Sequence, residues 1–85
     1  MKKTRKASQR NIIGRRVRQA RFSIKPEVTQ EDLAGRMAAR GVFMDRTAIS
    51  RIELQERYVM DFEAKALAQC LKVTVAWLYG EDAKK

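Results

Sequence analysis

Apolar positions recur at helical spacing in successive stretches of this chain, and nowhere do they alternate as a strand requires. Ile13, Val17, Ala20 and Ile24 mark the first stretch and, with Asn11 as N-cap, predict a helix over residues 12–22. Pro26 stops it, because the residue ahead of a proline is pushed away from helical angles. Thr29 is the expected N-cap of a second helix, with Asp32 where a capping box carries its acid. Leu33, Ala34, Met37 and Ala38 form its inward stripe, and Gly41 is its stop. Val42, Phe43 and Met44 make an apolar connector, from which Phe43 or Met44 is expected to fill the wedge ahead of a third helix. Asp45 caps that helix. Along it Ala48, Ile49 and Ile52 point one way, and Arg46, Thr47, Ser50, Arg51 and Leu54 the other. Residues 55–60 connect to a fourth helix, capped by Asp61, with Phe62, Ala66, Leu67, Cys70 and Leu71 on one face. Thr74 opens a short fifth helix containing Val75, Trp77 and Leu78, and Gly80 ends it. The expected fold is an all-α bundle of five helices.

A chain of 85 residues has room for one such domain. Residues 11–80 carry the apolar pattern, residues 1–10 read as a disordered basic arm, and residues 81–85 as a frayed tail. A core of this size is thin, so self-association or ligand binding is expected to add stability. No run of about 18 apolar residues marks a membrane span, and no apolar stretch near the N-terminus marks a signal peptide. Cys70 is the single cysteine, which fits a reducing cytoplasm and excludes an internal disulfide. Histidine is absent, which removes the commonest general base and metal ligand, and no metal or other cofactor is expected.

Charge adds a partner to this picture. The net charge is +9, and the first 25 residues hold ten Lys or Arg and no acid, while the rest nearly balance. A pI near 10.3 invites a polyanion. Lys2, Lys3, Arg5, Lys6 and Arg10 are suited to phosphates, although such a run also serves as a solvated tail.

The second and third helices are spaced as a helix-turn-helix, whose second helix lies in the major groove with its N-terminal residues at base edges. Arg46 and Thr47 occupy that end, with Ser50 and Arg51 one turn on. Arg reads guanine through O6 and N7, and Thr bonds several bases or touches a thymine methyl. The bland alternative is an ordinary wet helix face.

The ordered text strengthens the sharper reading. Ile13-Gly14 with Val17 and Arg21, Thr29-Gln30-Glu31-Asp32-Leu33-Ala34, Ala48-Ile49-Ser50-Arg51-Ile52-Glu53, Leu67-Ala68-Gln69-Cys70-Leu71-Lys72-Val73 and Trp77-Leu78 follow in sequence. The chain thereby resembles the Cro- and repressor-type helix-turn-helix domains of bacteria and their phages, over nearly the whole of residues 11–80. Two connections are longer than in that family, the one between the first two helices and the one between the second and third. The second helix is therefore expected to run an extra turn towards Arg40. The resemblance implies that Gln30, Arg57 and Tyr58 touch phosphates, and that Arg21 and Glu53 form a structural ion pair that orients the reading helix.

A sequence-specific regulator of double-stranded DNA, acting as a repressor by promoter occlusion, is the function this reading implies. One helix reads few base pairs, so a homodimer on an inverted repeat is expected, with Trp77, Leu78 and Tyr79 as its interface. The rivals are an antitoxin that shares the fold and a controller of a restriction–modification system. No enzyme is expected, since the acids sit mostly at helix starts or on wet faces and form no catalytic constellation. Cys70 reads as a core residue rather than a redox sensor.

Overall fold

The structure, a computed structural model, describes residues 9–81. Five helices follow in order: α1 (Gly14–Ser23), α2 (Gln30–Ala39), α3 (Arg46–Glu53), α4 (Asp61–Leu71) and α5 (Val75–Leu78). No strand occurs among the described residues. The fold is all-α, and no helix among the described residues is long and apolar enough to cross a membrane. The arm residues Lys2, Lys3, Arg5 and Lys6 lie outside the described residues.

Short-range side-chain chemistry sets most of the helix starts. Thr29 Oγ1 accepts the Asp32 N–H at 2.9 Å, and Asp32 returns the bond to the Thr29 N–H at 3.1 Å. Those bonds hold the Asp32 carboxyl below its ordinary range. Asp45 Oδ1 takes the Ala48 N–H at 2.8 Å, and Thr74 Oγ1 takes the Trp77 N–H at 2.9 Å. α2 does run to Ala39 with Arg40 as its C-cap. Gly41, at φ +81°, then turns the chain, and the Val42 N–H bonds Met37 O at 3.0 Å.

Two starts differ from the pattern-based expectation. α1 begins at Gly14 rather than at residue 12. The N-cap position falls on Ile13 rather than on Asn11, whose Oδ1 accepts the N–H groups of Ile13 and Gly14 at 3.2 and 2.8 Å. The Asn11 amide is bonded to Ile52 O and Arg57 O, so the chain makes a turn around Asn11 before the helix starts. Asp61 is the first residue of α4 and not its cap. The Glu63 carboxylate reaches back to the Met60 N–H at 2.9 Å instead.

α3 packs against α1 and α2, α4 against the same pair, and α5 against α1 and α4. Ile13, Val17, Leu33, Met37, Ile49, Ile52, Leu67, Leu71 and Leu78 fill the centre, each at 2% exposure or less. Val28, in the α1–α2 connection, joins them. Phe62 does not: expected on the inward face of α4, it is 57% exposed, and the neighbouring Glu63 is buried in its place. Met44 packs against the core, whereas Phe43 is exposed and fills no wedge. Cys70 is buried beside Met37, with 3.6 Å between the sulfurs. Burial pushes its thiol up against the pull of Arg40 and Arg36, so it remains a protonated core group.

Candidate nucleic-acid interface

The candidate interface is the outward side of α3. Its inner positions, Ile49 and Ile52, are fully buried, so its rotation about its own axis is set by the core. Arg46, Thr47 and Arg51 are then left exposed, with Ser50 half-buried at the edge of the face. The Arg46 guanidinium lies 3.9 Å from the Glu31 carboxylate, both groups being open to solvent. Such a pair contributes about 0–1 kcal/mol and leaves Arg46 available to a competing acceptor. Arg46, Glu31, Thr29 and Gln30 rim an open hollow of about 580 Å³ between the α1–α2 connection and the start of α3.

A buried ion pair fixes the far end of the helix. Arg21 Nε and Nη2 donate to the two oxygens of Glu53 at 2.7 and 2.9 Å. Arg21 Nη1 also donates to Val28 O at 3.0 Å. The bond to Glu53 raises the arginine pKa further, although burial opposes it. The pair expected from the resemblance is therefore formed, and it ties α1 to α3.

The phosphate-contact expectations fare unevenly. Gln30 sits at the start of α2, but its amide donates to Glu53 Oε1 at 3.1 Å and extends the ion pair. Arg57 serves the fold: its guanidinium closes on Glu63 at 3.1 and 3.3 Å and on Tyr58 O at 3.1 Å. A carboxylate buried as deeply as Glu63 needs a cation, and Arg57 is the one that reaches it. Tyr58 is exposed, with the Arg10 guanidinium 5.5 Å from its ring centre.

Gln9 and Arg10, expected in the arm, are held to the folded domain. The Arg10 N–H bonds Gln55 O at 2.8 Å, and Gln9 Nε2 bonds Gln55 Oε1 at 3.3 Å. Gln55 Nε2 in turn donates to Asn11 O at 3.2 Å. The chain ahead of α1 is thus laced to the exit of α3. These bonds span more than 40 residues, and no local pattern announces them.

In α5, Leu78 is fully buried and belongs to the core, so it is not available to a partner as expected. Trp77 is half-buried, and the Arg16 guanidinium covers one face of its ring at 4.5 Å. Tyr79 is 39% exposed and Val75 41%.

Among the described residues no group of three or more His, Cys, Asp or Glu is placed to hold a metal ion. The two buried carboxylates, Glu53 and Glu63, are each bonded to an arginine. No family model, no curated protein and no solved structure matches the chain.

Proposed function

We propose that α2 and α3 form a helix-turn-helix and that the protein binds double-stranded DNA sequence-specifically as a transcriptional regulator, repressing by occlusion. The observation that carries this reading is the exposed Arg46–Thr47–Arg51 face of α3, opposite a fully buried Ile49–Ile52 face. A short amphipathic helix of that kind offers base-edge donors at its N-terminal end. The net charge of +9 supports a polyanion as the partner. The Arg21–Glu53 pair supports a fixed helix orientation, which base reading requires. Two copies on half-sites about 34 Å apart would supply the specificity that one helix lacks.

Selection of bound fragments from random duplexes tests the proposal, followed by titration of the recovered site against random DNA. Arg46→Ala is expected to relax preference at one or two base pairs and to cost about 1–3 kcal/mol on the selected site. Its binding to random DNA is expected to change little. Recovery of no common sequence overturns the proposal, and equal losses on both duplexes reduce Arg46 to a phosphate contact.

A further inference from the structure

We infer that Phe43 is a specificity-determining residue that contacts the C5-methyl group of a pyrimidine in the major groove. The inference rests on the DNA-binding reading above and adds the connector ahead of α3 to its reading surface.

Phe43 is 81% exposed, more than any other large apolar side chain among the described residues. It is not exposed because the chain there is loose. On one side Gly41 turns the chain and the Val42 N–H is bonded to Met37 O at 3.0 Å. On the other, Asp45 caps α3 through the Ala48 N–H at 2.8 Å. Val42 and Met44 are both half-buried against the core. Side chains that alternate along a connector point to opposite sides, so seating Val42 and Met44 turns Phe43 outward. The fold gains nothing from the phenyl ring, yet holds it out between two anchored neighbours.

Its place gives the ring a target. Phe43 lies three residues ahead of Arg46 and four ahead of Thr47, at the end of α3 that approaches base edges in this geometry. A phenyl ring adds nothing to phosphate attraction. The apolar group that base pairs offer in the major groove is the C5-methyl of thymine, and 5-methylcytosine carries the same group. A protein partner is the poorer fit. Arg40, Gly41, Asp45 and Arg46 are the exposed residues around Phe43 in sequence, so the ring is flanked along the chain by charged and polar positions rather than by other exposed apolar ones. Protein interfaces need several hundred Å² on each partner.

The test uses the full chain and the selected site. Each thymine is replaced singly by deoxyuridine, which deletes only the methyl, and affinities are measured for the parent and Phe43→Ala. The expected result is one thymine where this deletion weakens the parent about fourfold, the scale of one buried methylene, and leaves Phe43→Ala unaffected. In a second arm, cytosine at that position, paired with guanine, is compared with 5-methylcytosine. Preference of the parent for the methylated base, lost in Phe43→Ala, identifies the methyl itself as the feature read. Equal deoxyuridine losses in both proteins assign the methyl to another residue and overturn the inference. It also fails if no position is methyl-sensitive while Arg46→Ala still relaxes specificity, and in that case the DNA-binding reading stands. Loss of self-association without DNA in Phe43→Ala overturns it in favour of a protein contact. Because the ring is exposed, Phe43→Ala is expected to melt like the parent.

Discussion

Glu53 accepts both Nε and Nη2 of Arg21, at 2.7 and 2.9 Å, inside a site where the two side chains are only 3% and 8% exposed. Val28 O and the Gln30 amide complete the cluster, so one buried pair joins α1, the α1–α2 connection, the start of α2 and the end of α3. Removing one charge leaves the other buried without its partner. Glu53→Gln is expected to cost about 3–5 kcal/mol in denaturant unfolding. The double replacement Arg21→Met with Glu53→Leu is expected to cost less than Glu53→Gln alone, because no orphan charge remains. In the double variant, discrimination between selected and random DNA should fall, since α3 loses its anchor. A double variant less stable than Glu53→Gln would show that the pair holds the fold by net attraction.

Gly14 lies where α1 meets the end of α3. A Cβ there would run into the backbone carbonyl of Ile52, with Asn11 Oδ1 and Gln55 Cγ each 3.1 Å away. A carbonyl held by the Asn11 amide cannot swing aside cheaply. Gly14→Ala should therefore destabilise by about 1–3 kcal/mol or more. Gly35 is the control: it lies within α2, and an added Cβ meets nothing within 4 Å. Gly35→Ala should stabilise by roughly 0.5–1 kcal/mol through helix propensity. Thermal unfolding of the two variants should thus move in opposite directions. A shift of the same sign would refute the packing argument.

Acid should loosen the α3–α4 connection. Burial pushes the Glu63 carboxyl up, but the bonds from Arg57 and the Met60 N–H outweigh it, and its pKa lies below the ordinary 4.5. A carboxyl with a lowered folded pKa contributes fully above its unfolded value and loses that contribution as pH falls through the folded value. Stability should hold above about pH 5 and fall below 4.5. Glu63→Gln should be weaker at pH 7 by about 1–3 kcal/mol and fall less steeply in acid. Parallel pH profiles of the two proteins would show that Arg57 and Glu63 contribute nothing through charge.

These cases also mark what a sequence can disclose. Thr29 with Asp32, Asp45 and Thr74 act on N–H groups three residues away, so their roles as caps were legible. So was the wet face of α3, because helical period alone separates Arg46 and Thr47 from Ile49 and Ile52. Phe62 was expected on the core face and is exposed, while Glu63 beside it is buried. Hydrophobicity assigns the ring to the core, but Arg57 folds back on the carboxylate and draws Glu63 inward. Asn11 was legible as a polar group ahead of α1 and not as a hub, since its amide bonds reach Ile52 and Arg57 across more than 40 residues. α3 and α4 both end without a glycine. Gln55 and Lys72 take the left-handed conformation that glycine usually marks. The Arg21–Glu53 pair came from family resemblance, because nothing local joins residues 32 apart.

The pair proposed on an inverted repeat needs a surface through which two copies meet. The three-residue interface expected at the C-terminal end narrows, because Leu78 is core and Arg16 covers one face of Trp77. Val75 and Tyr79 remain, four residues apart on the same side of α5 and both about 40% exposed. That side belongs to an element packed against α1 and α4, so a pair formed through it does not use α3 itself. A symmetric contact sets each copy's patch against the other's, which doubles the effect of any charge introduced. The patch is small, so the pair is expected to form on DNA rather than free in solution. Binding to an inverted repeat should be cooperative, and Tyr79→Asp should weaken it while leaving a single half-site unchanged. Val75→Asp should act the same way, because its side chain shares that face. Trp77→Ala is a poor probe, since the ring packs against the core and its loss disturbs the fold. Full cooperativity in both aspartate variants would move the interface elsewhere, and none in the parent would leave a protein that reads its site as a single copy.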